Sequence, residues 1–368
     1  MIYLDSHSAT RPCQAALERM GPYQQEHWGA GFAPHRMGQE LIAALDARYR
    51  MLYDLIGAQE ECDRFVFTSS GAEAINQVFW SVFLHKARTE GKCHFIISQI
   101  EDAPTMQCAK RLEDLGCIVK IAPVDAQGRI DVQKLAELIN PRTALISITM
   151  AHGLTGVIQP YEEIADLAQK RGVLLHLEAT YAIGKLPFDG WLGDYLTFSG
   201  DRMHSVKGSG ALFAKEKSPL TALIVGGNEQ NGLRGGQFDI PSFMALSAAA
   251  QQLLLYLDVM NLEVARLRDL LESRVQGTPL YQDVLRLPNT ACISFAKVHQ
   301  EALLYVLNRK GVLATIGGGY CGHLGRVTGD ECTVSFSLSR MTTEEEVLRA
   351  ASLINEAVEM LRRVSEGM

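Results

Sequence analysis

The sequence predicts an α/β fold: a mainly parallel sheet covered by helices on both faces, followed by a smaller α+β domain. Two observations carry this. Between Arg64 and Phe213, apolar runs of strand length alternate with longer amphipathic runs of helical spacing. Beyond about residue 280 strand-like and helical runs follow one another without that regular alternation. The length, 368 residues, exceeds one ordinary domain and suits one large and one small. The expected division is an N-terminal segment 1–15 joined to the small domain, a large domain 16–255 and a small domain 256–368.

The chain opens with Ile2, Tyr3 and Leu4, a polar turn with Pro12, and a helix-like run 14–20. Residues 21–38 are rich in Gly, Pro, His and aromatics without periodicity and read as an ordered loop. Apolar residues at 41, 42, 45, 49, 52 and 55 predict a helix over 39–55 that ends at Gly57. Strands are then expected at 65–67, 94–97, 118–121, 144–148 and 173–177, and helices at 73–85, 103–115, 132–139 and 161–171. A long helical region, 240–275, leads to strand-like runs 292–295 and 333–337, a helix near 300–309 and a last helix 343–363. Thr342 and Thr343 before Glu344, Glu345 and Glu346 suit the start of that last helix, with acidic groups at the positive end of its dipole.

Composition narrows the function. Hydrophobic residues make up 47% and charged residues 21% of the chain, the balance of a globular protein. The net charge is −7, the pI is near 5.8, and no dense Lys/Arg block occurs, which argues against nucleic acid or an anionic membrane as partner. The apolar stretch 242–256 is broken by Ser, Gln and Tyr and is too short to span a bilayer. The N-terminus lacks a basic region followed by a long apolar one, so no secretory signal is read and a cytoplasmic location is expected. The eight cysteines form no Cys-x-x-Cys pair; no metal site is expected, and most should be small core residues.

The stretch 194–213 concentrates the chemistry. An apolar run, 195–198, is followed by a polar turn, Ser199 to Lys207, and a Gly-Ser-Gly step into a second apolar run at 211–213. Such a turn brings backbone and side chains close to a ligand, although a plain hairpin has the same pattern.

The chain resembles the cysteine desulfurases of the class V aminotransferase group, pyridoxal-phosphate (PLP) enzymes of fold type I. The likeness rests on a collinear set. Tyr3-Leu4-Asp5 with Ser8-Ala9-Thr10 and Pro12 is similar to the family's opening, and His35-Arg36-Met37-Gly38 to its substrate-loop helix start. Phe67-Thr68-Ser69-Ser70-Gly71-Ala72-Glu73 with Asn76 resembles the phosphate loop. Gly156-Val157-Ile158-Gln159 and His176-Leu177-Glu178-Ala179-Thr180 resemble the cofactor-ring strands. Gly232-Leu233-Arg234-Gly235-Gly236, Leu287-Pro288-Asn289-Thr290 and Phe336-Ser337-Leu338-Ser339-Arg340 complete it. The resemblance implies a large domain with a seven-stranded type of sheet, a homodimer, and PLP held by a lysine.

At the site positions the resemblance implies, this chain departs from the pattern. Ser199-Gly200-Asp201-Arg202 stands where the family has Ser-Gly-His-Lys, so Arg202 occupies the lysine position. A guanidinium stays protonated and forms no imine. Lys207 is the other lysine of the turn and an unfavoured substitute. For the phosphate, Gly71 and Ala72 open a helix with N–H groups suited to an anion; Ala72 lacks the family's hydroxyl, Ser199 keeps one, Asp201 replaces a histidine, and Gln237 replaces a threonine offered across the dimer. Around the ring, Glu178 replaces an aspartate, Tyr181 a glutamine, Asp102 a stacking histidine and Gly153 an asparagine. His152 beside it reads as a surface residue. Ser335 replaces the arginine that grips the substrate carboxylate. Cys321, in a glycine-rich loop with His323 nearby that could lower its pKa, aligns with the persulfide cysteine, although a chance cysteine among the eight has the same pattern.

Together these changes imply a cysteine desulfurase-like protein with no covalent cofactor and weak or absent PLP binding. It is expected to act as a non-catalytic homologue with a protein partner in sulfur or iron–sulfur metabolism. Two alternatives stand beside it: an active PLP-dependent desulfurase or lyase with an atypical site, and a remade cleft that binds another small molecule through Asp102, Glu178, Asp201 and Arg202.

Overall fold

The computed structural model describes residues 1–366 other than Asp189 and Tyr320, and the backbone alone of Ala47, Cys321, Ser365 and Glu366. The chain starts with β1 (Ile2–Tyr3), α1 (Gln14–Gln25) and α2 (Arg36–Ile56). The loop expected at 21–38 is therefore shorter than its composition suggests. Helix α1 runs through Pro22, and His35 caps α2 by accepting the Gly38 N–H. The alternating region holds β2 (Asp63–Thr68), α3 (Gly71–Val82), α4 (Arg88–Glu90), β3 (His94–Ser98), α5 (Ala103–Asp114), β4 (Ile118–Ala122), α6 (Val132–Leu138), β5 (Thr143–Thr149), α7 (Tyr161–Arg171), β6 (Leu174–Glu178), β7 (Tyr195–Ser199) and β8 (Gly210–Lys215). The helix expected at 73–85 changes to a π-helical turn, Phe83–Ala87, before α4.

Strands β2 to β8 form one sheet of seven strands in the order β2-β8-β7-β6-β5-β3-β4. Only β8 is antiparallel to its neighbours, β7 and β2. The carboxyl ends of β2, β3, β5, β6 and β7 therefore share one edge. Alternate residues of a strand enter different cores. Ile96 joins the core under α1, α2 and α7, while Phe95 and Ile97 join the one under α3 and α5. Burial on both faces explains why these strands read as continuous apolar runs rather than as alternation.

The long helical region is α8 (Ile240–Val259), a π-helical turn Met260–Val264, and α9 (Ala265–Arg274). It matches the helical region expected at 240–275 and extends beyond the apolar stretch 242–256. By length and composition Ile240–Arg274 could cross a membrane, yet 56% of its most apolar window is buried in the protein, with α8 packed on α1 and α2.

The remainder comprises β9 (Thr278–Pro279), β10 (Thr290–Ser294), α10 (Gln300–Lys310), β11 (Val312–Leu313), β12 (Gly317–Gly318), β13 (Cys321–His323), α11 (Leu324–Thr328), β14 (Thr333–Ser337) and α12 (Glu344–Glu366). These elements and α9 surround a second core, which also takes Ile2 and Leu4. Strand β1 pairs in parallel with β11, and Asp5 bridges to Ser337. The N-terminus thus crosses from the second core to the edge of the large sheet. Among the described thiols, Cys13, Cys108, Cys117 and Cys292 are buried and Cys62 is exposed.

Candidate functional site

A cleft forms where the loops at the sheet's carboxyl edge meet the N-terminal segment. Glu178 ends β6, Ser199 ends β7, Asp102 precedes α5, and Gly153 follows β5. Gly210 lets the phosphate-type loop approach the sheet, because a Cβ there would lie 2.4 Å from the Ser70 carbonyl carbon. In this way the topology brings together residues spread over more than a hundred positions.

The turn after β7 is tied down by its own charges. Arg202 is buried and ion-paired with Asp201, and the Ser199 hydroxyl donates to the other Asp201 oxygen at 2.7 Å. The backbone carbonyl of Asp201 accepts the Thr10 hydroxyl at 2.9 Å, and Thr10 in turn accepts the His204 N–H at 2.7 Å. His204 holds φ at 64°, an uncommon value for a side-chain-bearing residue. Lys207 is exposed, whereas Arg202 in the same turn is buried.

Three of the altered positions prove to be one packed unit. The Tyr181 ring lies over Gly153, where a Cβ would be only 2.5 Å from the phenol carbon. Its hydroxyl donates to Asp102 at 2.8 Å. A glycine at 153 makes room for the tyrosine at 181, which supplies the hydrogen bond that the aspartate at 102 needs. His152 is not a surface residue as its loop setting suggested. It is buried, and Nδ1 is hydrogen-bonded to Thr155 at 3.0 Å.

Glu178 turns back on its own loop and accepts the Thr180 N–H at 3.1 Å and the Thr180 hydroxyl. Burial pushes its carboxyl up to about 8 against those bonds. Burial likewise pushes Asp102 up to about 7, opposed by Tyr181 and Arg202. Glu101 is a further buried acid; one oxygen accepts the Thr149 N–H at 2.9 Å and the Ser98 hydroxyl, and burial lifts it to about 8. Asp5 is lifted to about 6 by burial, with Ser8 and Arg202 opposing.

Sequence reasoning passed over three further groups. Glu101 was one step from Asp102 in the same loop. His7 is buried with Nδ1 2.9 Å from the Ser337 hydroxyl, and burial, Arg202, His152 and Lys185 lower its proton affinity to about 3. Lys185 is only 4% exposed; burial and Arg202 bring it down to about 8 against Glu178. No periodicity or motif marks Lys185, since a turn alone carries it inward.

The other expected site residues lie apart or are engaged. At the start of α3 the Ser70 hydroxyl caps Glu73, whose carboxylate accepts from Ser69 and pairs with Arg234 at 3.0 Å. The N–H groups of Gly71 and Ala72 thus share their helix start with a carboxylate. Gln237 is exposed. Ser335 is buried and donates to the Leu154 carbonyl at 2.7 Å, an internal bond in the place of a ligand contact. Cys321 enters β13 opposite Gly318, and its side chain lies outside the described residues. No group of three or more His, Cys, Asp or Glu among the described residues is arranged to hold a metal.

Residues 2–349 match the family model described as Aminotransferase class-V. The chain belongs to that family. It is 32% identical to a protein named "Cysteine desulfurase" from Trichormus azollae, over 99% of this chain and 94% of that protein. It has the same identity and coverage with "Cysteine desulfurase NifS" from Azotobacter vinelandii. The solved structure named "NIFS-LIKE PROTEIN" superposes with a TM-score of 0.91 at 27% identity, covering 98% of this chain and 99% of that one. The chain is thus cysteine desulfurase-like and has the PLP fold type I. The family is PLP-dependent, yet the residues of this cleft do not fit a lysine-bound PLP. Position 202 carries a guanidinium, and the Ser199 hydroxyl is already given to Asp201.

Proposed function

We propose that this class-V aminotransferase family member is a non-catalytic homologue, with weak or no PLP binding, that acts by binding a partner in sulfur or iron–sulfur metabolism as a homodimer. One observation carries the reading. The buried Arg202–Asp201 pair, with Ser199 bonded to the same carboxylate, occupies both the amine position and one phosphate-donor position of the turn. A guanidinium cannot form an imine, and a carboxylate beside a phosphate repels it. The Tyr181–Asp102 bond over Gly153 supports the same reading, since the altered ring positions satisfy one another.

A second reading, an active PLP-dependent desulfurase or lyase with an atypical site, has its own support. The names of the full-length relatives favour it over the first. In the structure, the buried amine of Lys185 lies near both Arg202 and Glu178. A third, a cleft remade for another small molecule, draws on the buried charges alone. The deciding experiment is to purify the protein with excess PLP, record the visible spectrum, reduce with borohydride, map modified lysines and assay sulfide release from cysteine. A colourless protein without sulfide release supports the first reading. A labelled cleft lysine with sulfide release replaces it with the second.

A further inference from the structure

Two cysteines stand side by side at the amino ends of β3 and β4. His94 of β3 pairs with Ile118 of β4 in parallel register, and the Ile118 N–H donates to the Cys93 carbonyl at 2.9 Å. Cys93 and Cys117 are therefore neighbours one step before that pair. Strand alternation puts Cys93 on the face of Phe95 and Ile97, and Cys117 on the face of Val119. These are one face, because all five residues pack into the core under α3 and α5. Neighbouring strands lie about 4.8 Å apart, within the roughly 4.4–6.8 Å between Cα atoms that a disulfide spans. Both thiols are free in the structure.

The two sulfurs differ in setting. Cys93 is half-buried, and the exposed Arg142 donates from Nη2 to its Sγ at 2.8 Å, so a negative charge on that sulfur has a cation beside it. Cys117 is buried, and burial, followed by the neighbouring Cys93, pushes its thiol up. We propose that Cys93 and Cys117 are a redox-active pair that a small-molecule disulfide oxidises to one intramolecular disulfide, with Cys93 attacking first and Cys117 resolving. The Cys93 thiolate attacks one sulfur of the small disulfide, forming a mixed disulfide and releasing one thiolate. The Cys117 thiol then gives up its proton, its sulfur attacks Cys93 Sγ, and the second small thiolate leaves. The two cysteines lose two electrons and two protons, and two small thiols carry both away. The product ties β4, the outer strand of the sheet, to β3. It lies at the amino ends of these strands, opposite the edge that bears the cleft, so the inference does not depend on the function proposed for the cleft.

The test incubates the full-length protein with oxidised glutathione, then unfolds it, alkylates the remaining thiols and maps every cysteine by mass spectrometry. The expected product links Cys93 to Cys117, keeps no glutathione on either, and reverts with dithiothreitol. Cys117→Ala should instead keep one glutathione on Cys93, and Arg142→Gln should slow the loss of the Cys93 thiol several-fold. Should Cys117→Ala fail to fold, the map of the unaltered protein decides the matter. Cys117 recovered alkylated while Cys93 carries glutathione, Cys93 recovered alkylated, or Cys117 joined to Cys108 overturns the proposal.

Discussion

Raising the pH from 6.5 to 8 should weaken this protein, because Glu101 and Glu178 are buried acids with no cation bonded to them. Burial lifts each to about 8 in the fold from an ordinary 4.5. The folded state then binds more protons than the unfolded chain, so the stabilisation is complete below about pH 4.5 and is lost as pH rises towards 8. The buried His7, His152, His176 and His204 act in the opposite direction, an effect that fades as pH rises through their ordinary value of 6.5. Above about pH 7.5 the histidines are neutral in both states, while Asp102, lifted by burial to about 7, adds to the fall between pH 6.5 and 8. One proton differing over 1.5 pH units is worth about 2 kcal/mol, so the two acids together cost on the order of 4 kcal/mol. Between pH 8 and 9 the trend should flatten or turn, since Lys185 has lost its proton in the fold while the unfolded chain keeps one. Above pH 9 the buried thiols of Cys108 and Cys292, lifted by burial, act against that gain. Urea midpoints at several pH values from 6.5 to 9 measure the effect, and Glu178→Gln should remove about half of the fall. Midpoints that stay level from pH 6.5 to 8, or a slope unchanged in Glu178→Gln, would refute the reasoning.

Other perturbations probe single contacts. Gly153→Ala drives a methyl into the Tyr181 ring and should destabilise by about 1–3 kcal/mol in chemical unfolding, with relief when Tyr181→Ala is added. Tyr181→Phe leaves Asp102 buried without its donor and should cost about 1–3 kcal/mol, more at pH 8 than at pH 6. Arg202→Met strands a part-buried Asp201 and should cost about 3 kcal/mol, read from the same unfolding curves. Lys207→Ala, on the exposed turn, should shift stability by no more than about 0.5 kcal/mol and leave the spectrum with PLP unchanged.

The sequence by itself determined the sheet and its helices, since strands buried on both faces and helices with one apolar side leave local signals that do not depend on partners. It also exposed the exchange at position 202, because a guanidinium has the same chemistry wherever it lies. The limits of α1 and α2 escaped it, for Pro22 is carried inside a helix whose packing on α8 outweighs its local preference. Only the tertiary structure decided how the altered residues relate. Gly153, Tyr181 and Asp102 stand apart in sequence and touch because β5, β6 and the loop before α5 end on one edge. Burial decided the rest: it made His152 and Lys185 interior groups and set the proton affinities of the acids. Burial is a property of the whole packed chain, and no stretch of sequence carries it alone.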